Sequence, residues 1–208
     1  LDQAKAGIVT EEMKRAVQDE PLSAEELRDL MAKGHAVLPK NINHSFEQIK
    51  AIGRSLKTKV NANLGSSGEC HLQDLEEKKL DAALRAKTDS IMDLSTGGEL
   101  AELRRFFLEK STVMVGAVPI YGLATQMVYR HQPLDRMDGE MLLRSIEGQC
   151  REGLDYITVH CGVTLASVKK LETYERLMPC VSRGGSIHMH WMRKNRKENP
   201  LYEYFDDL

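Results

Sequence analysis

The stretch SIMDLSTGG (residues 90–98) runs from a short apolar strand into a polar tip and a glycine pair, and residues 99–109 after it follow a helical pattern. A short apolar run bounded by turn residues is a buried strand, and apolar spacing near 3.6 residues is a helix. The same order recurs on both sides. Strands are predicted over 58–63, 90–94, 112–118, 156–161 and 178–182, the last with Pro179 near its start, where a strand tolerates proline. Helices are predicted over 72–86, 99–109, 122–131 with 138–152, and 165–177. Alternating strands and helices specify βαβ units, a parallel sheet and right-handed crossovers, so the fold class is α/β.

Two parallel architectures compete, the doubly wound open sheet and the (β/α)8 TIM-type barrel. A doubly wound sheet gathers its site at one switch point, whereas a barrel draws site residues from many strand ends. Here every predicted strand ends in, or leads directly to, residues suited to binding: Asn61 and Asn63, Asp93 with Ser95 and Thr96, Tyr121, His160, and Ser182 with Arg183. That distribution predicts a barrel of which about the first five β/α units are present. Residues 1–56 read as a small, mostly helical appendage. Thr10 can cap a first helix, Ser23 with Glu26 forms a capping box for a second that stops at Gly34, and Ser45 with Gln48 offers another for a helix ending near Gly53. The partial barrel, 57–208, falls short of the ~250 residues that a closed one takes. Open parallel edges are an aggregation hazard, so the expected partner is the missing barrel half or a second copy of the chain in a homodimer.

Of the 208 residues, 29 are Lys or Arg and 31 Asp or Glu, for a net charge of -2. No basic excess points to nucleic acid. No window approaches the ~18 apolar residues of a membrane span, and the start lacks the apolar core of a signal peptide, so a cytoplasmic location is expected. Cys70, Cys150, Cys161 and Cys180 are scattered singly, which argues against a zinc knuckle or a disulfide framework.

Two loops, LSTGG (94–98) and SRGGS (182–186), join a predicted strand to a helix. Glycine there lets backbone N–H groups reach an anion at a helix N-terminus, and Arg183 would add a bidentate charge to the second loop. The structural alternative, that these glycines only make tight turns, stays open. Neither loop fits the Walker or dinucleotide pattern. His160 is placed near the barrel mouth. His188 and His190, at i and i+2 on a helix, would face different ways and make a poor shared zinc site. The ten methionines read as core filler and EEKK (76–79) as a solvated helix face.

The strand ends also carry a wording. VNANLG (60–65), IMDLSTGG (91–98), VPIYG (118–122), ITVHCGV (157–163), VSRGGS (181–186) and KENPLYEYFD (197–206) resemble the phosphomethylpyrimidine synthase family, as do GIVTEEM (7–13) and LPKNINH (38–44). The motifs are collinear along essentially the whole chain. The resemblance implies a radical S-adenosylmethionine enzyme of thiamine biosynthesis that rearranges 5-aminoimidazole ribotide to 4-amino-5-hydroxymethyl-2-methylpyrimidine phosphate. It also implies a 4Fe-4S cluster, S-adenosylmethionine and zinc as cofactors. Substrate contacts carried over by motif are Asn63, Met92, Tyr121, His160, Ser182, Arg183 and Gly184. Met92 comes from the resemblance alone, since by its chemistry it reads as core. The family's next segment, an Asp-Gly-Leu-Arg strand, a substrate glutamate, two zinc-binding histidines and the cysteines that hold the cluster, does not occur in this sequence, so no metal ligand is expected in this chain. The paralogous 5-hydroxybenzimidazole synthases share the substrate and form a second reading. A non-catalytic member that binds a phosphorylated ligand or a partner is a third.

Overall fold

The computed structural model describes all 208 residues. Its first helices form where their caps predict them. After the short α1 (Asp2–Lys5), helix α2 (Glu11–Ala16) starts at Thr10, whose Oγ1 accepts from the Met13 N–H. Helix α3 (Ala24–Ala32) starts at the Ser23 capping box: Ser23 Oγ accepts from Glu26 N–H at 3.1 Å, and Glu26 Oε2 accepts from Ser23 N–H at 2.7 Å. Residues 45–53 form no helix, contrary to the Ser45–Gln48 capping prediction. Phe46, Ile49 and Ala51 are buried in a cluster with Met13, Leu27 and Met114, and the Gln48 N–H donates to the Thr112 carbonyl. Burying that apolar set in an irregular path, with Gln48 tied to the distant Thr112 backbone, outweighs one local cap of roughly 1 kcal/mol. The segment ends in β2 (Ile52–Gly53), antiparallel to β1 (Ala36–Val37).

Strand β3 (Asn61–Leu64) leads to α4 (Gln73–Arg85), β4 (Ser90–Asp93) to α5 (Leu100–Lys110), and β5 (Met114–Ala117) to α6 (Pro119–Tyr129); β6 (Tyr156–Ile157) completes the sheet. Its order is β3-β4-β5-β6, with β3 parallel to β4 and β4 parallel to β5. Ile91, Val113, Met114 and Val115 are fully buried, as expected of central parallel strands covered on both faces. The α/β class therefore stands.

The chain divides into two compact units, Leu1–Ala117 with Cys150–Tyr156, and Val118–Gln149 with Ile157–Leu208. The first holds the N-terminal helices and most of the sheet. A buried hub ties these together: Asp155 accepts from the Asn41 and Val115 N–H groups and from His44 Nδ1, while His44 Nε2 donates to the Leu108 carbonyl.

The second unit carries α6, most of α7 (Gly139–Glu152), α8 (Leu165–Thr173), α9 (Arg183–Asn195) and α10 (Pro200–Glu203). Two predicted strands are corrected here. The one at 156–161 ends at Ile157, and His160 lies beyond it. The one at 178–182 does not form: Pro179 removes a donor, and Met178 and Val181 stand exposed with no sheet to cover them.

Candidate functional site

In the first unit, β3 and β4 pair in the register Asn61↔Ser90 and Asn63↔Met92. Alternation along a strand puts Asn61 and Asn63 on one face. Asn63 is exposed and Met92 half-buried. Asn61 Nδ2 donates to Asn63 Oδ1 at 2.8 Å, and Asn61 Oδ1 accepts from Ser90 Oγ, also at 2.8 Å. The two sequence-predicted contacts of this unit are thus direct cross-strand neighbours.

The loop at 94–98 differs from its prediction as an anion cradle. Ser66 Oγ donates to the Gly97 carbonyl at 2.5 Å, and a Cβ on Gly97 would collide with the Ser67 carbonyl. The adjoining cleft, about 330 Å³, is lined by Glu76, Glu99 and Glu102 and by no lysine or arginine. These glycines serve close packing, in acidic surroundings. Asp93, buried at the strand end, accepts from the Ser95 N–H, and burial pushes its carboxyl above the ordinary range. Glu76 is only 1% exposed, which corrects the solvated-face reading of EEKK. Its carboxylate accepts from Gly65 N–H and pairs with Lys79 at 2.5 Å, while Lys79 donates to the Gly65 carbonyl.

The loop at 182–186 is built otherwise. Ser182 caps α9, its Oγ accepting from the Gly185 N–H at 3.0 Å, so the first turn of a thirteen-residue helix begins at Arg183. The Arg183 guanidinium carbon lies 5.0 Å from the centroid of the Tyr121 ring, a cation–π geometry that fixes the arginine beside the helix N-terminus. Positive helix end, capping serine and arginine converge on one spot suited to a phosphate. Gly184 makes a notch in α9 for the His160 ring, with which any Cβ there would collide. Tyr121, His160, Ser182, Arg183 and Gly184 are therefore brought together within the second unit.

Sequence reasoning had set His188 aside with the rejected zinc pair. It is 1% exposed, and its ring lies 6.0 Å from that of His160. His190 is exposed on the other side of the helix, as its spacing predicts. Burial, then the proximity of His160, lowers the His188 pKa to about 4; burial lowers that of His160 as well. His160 Nδ1 and His188 Nε2 are both buried without a hydrogen-bond partner. Also missed was Asn199, fully buried, whose Nδ2 donates to the His160 and Val163 carbonyls and so anchors the loop that carries His160. The Asn-Pro pair that starts α10 was the available signal.

Fold and site define a parallel α/β chain with polar side chains on β3 and an anion-suited helix N-terminus at α9. Comparison with known proteins narrows that class. The Radical SAM ThiC family model matches residues 1–208, and the chain belongs to that family. It is 46% identical to the phosphomethylpyrimidine synthase of Carboxydothermus hydrogenoformans, 45% to that of Thermoanaerobacter sp. strain X514 and 41% to that of Methanocaldococcus jannaschii. Each alignment covers 100% of this chain and 48%, 48% and 49% of the relative. The chain thus spans about half the length of the curated relatives it matches.

The residues present do not fit a resident metal or cluster. No three His, Cys, Asp or Glu side chains are grouped to hold a metal ion, and the four cysteines are separate free thiols.

Proposed function

We infer that this chain is the ribotide-recognising part of a phosphomethylpyrimidine synthase, the thiamine-pathway enzyme that rearranges 5-aminoimidazole ribotide to 4-amino-5-hydroxymethyl-2-methylpyrimidine phosphate. The observation that carries this reading is the α9 N-terminus, where Ser182, Arg183 and Gly184 meet Tyr121 and His160. The helix end and Arg183 bind the phosphate, Tyr121 holds Arg183 in place, and the largely neutral His160 orients the ligand by hydrogen bonding. Asn63 and Met92, neighbours across β3 and β4 of the first unit, are further ligand contacts on the strength of the family motifs. The 4Fe-4S cluster, S-adenosylmethionine and zinc take their ligands from outside these residues.

The proposed architecture is the start of a TIM-type barrel, 57–208, behind an N-terminal appendage, 1–56. The strand order β3-β4-β5-β6 supports it, because it follows chain order without the reversal of a doubly wound sheet. A further barrel half or a second subunit covers the open edges. No helix is long and apolar enough to cross a membrane, in keeping with a cytoplasmic enzyme. The names of the relatives favour the pyrimidine product over the benzimidazole one.

Replacing Arg183 by alanine should weaken ribotide binding about tenfold or more, the loss expected for a charge-assisted contact. Isothermal titration calorimetry measures it, and an unchanged affinity would refute the phosphate assignment.

A further inference from the structure

We propose that Asn61, gripped by the hydroxyls of Ser90 and Tyr156, is the positioning residue that presents Asn63 to the ligand as a hydrogen-bond donor. This rests on the reading of Asn63 as a substrate contact and adds a positioning role, shared by Asn61 and Tyr156, that neither the motifs nor the family comparison assigns.

The argument starts at Gly116 in β5. A side chain there would collide with the Tyr156 ring, so the glycine opens the space across which that ring lies. Tyr156 also packs against the buried cluster that includes Leu27, Phe46 and Met114, which further restricts the ring. Its hydroxyl therefore has a fixed place, 2.8 Å from both Asn61 Oδ1 and the Ile91 carbonyl. Ser90, the register partner of Asn61, brings a second hydroxyl to the same oxygen.

With its oxygen facing two hydroxyls, the Asn61 amide has only its Nδ2 to turn toward Asn63, and it donates to Asn63 Oδ1 at 2.8 Å. An amide whose oxygen is already engaged offers its two N–H bonds outward. Asn63 is exposed, so those bonds are available to an acceptor atom of the ligand, such as a phosphate, hydroxyl or ring-nitrogen lone pair. A free asparagine rotates its amide at little cost and presents either end. Asn61 removes that choice, and preorganised donors bind more tightly because less freedom is lost on binding.

The test is a double-mutant cycle read by titration with 5-aminoimidazole ribotide, with the thermal midpoint followed in parallel. Asn61→Ala should weaken binding about fivefold to tenfold in the parent and have little effect in an Asn63→Ala background, since nothing then remains to orient. Asn61→Asp should be at least as damaging as Asn61→Ala, because a carboxylate cannot donate and turns the Asn63 N–H groups inward. Tyr156→Phe keeps the packed ring and should give a smaller loss that also disappears without Asn63, which preserves a test if the Asn61 variants unfold. Equal losses in both backgrounds, or parent-like binding by Asn61→Asp, would overturn the positioning role. No loss on Asn63→Ala alone would remove the contact itself, and the positioning role with it.

Discussion

The half-buried His160 ring lies 6.0 Å from that of the buried His188 on α9, and their shifted protonation has a consequence in stability. An unfolded histidine takes up its proton near pH 6.5, whereas folded His188 stays neutral down to about 4. Between those values the unfolded chain binds more protons, so stability falls as pH drops from 6.5 towards 4 and is fully present above 6.5. Thermal unfolding followed by circular dichroism between pH 7 and 4.5 should show this decline. His188→Leu should make it shallower, and an identical slope in the variant would contradict the assignment. At this scale the position of Ser182 and Arg183 at the start of a helix was legible, because a cap is a local contact. Glu76 was not: Glu76 and Lys79, one helical turn apart, read as a surface pair, and nothing along the sequence shows that the Gly65 backbone needs both.

That same pair acts at the scale of elements. Gly65 leaves β3 with φ 137°, and its N–H and carbonyl are satisfied by side chains of α4 in place of a ladder partner. Glu76→Ala should cost about 1–3 kcal/mol, the penalty for an unsatisfied buried amide, and strand β3 should lose amide-exchange protection first. Urea denaturation measures the cost; a change within a few tenths of a kcal/mol would show that the β3–α4 junction does not depend on it. Caps at Thr10 and Ser23 placed two helices from sequence because a cap is a contact within four residues. The helix predicted from Ser45 and the strand predicted at 178–182 failed because both outcomes depend on distant partners. Phe46 and Ile49 found a core to enter, whereas Met178 and Val181 found no neighbouring strand.

At the scale of the molecule, class and family were legible because the strand-end motifs recur in chain order, and the parallel sheet bears out the α/β class. The contacts behind those motifs, Asn199 to the His160 loop, His188 to His160 and Tyr156 to Asn61, were not legible, because each joins positions between 28 and 95 residues apart. The central claim is that the chain recognises a ribotide by its phosphate at the N-terminus of α9. Its most direct test compares the affinities of 5-aminoimidazole ribotide and the phosphate-free riboside in the parent and in Arg183→Ala. The parent should prefer the ribotide by about tenfold or more, and the variant should lose most of that preference. Equal affinity for ribotide and riboside in the parent would contradict the account.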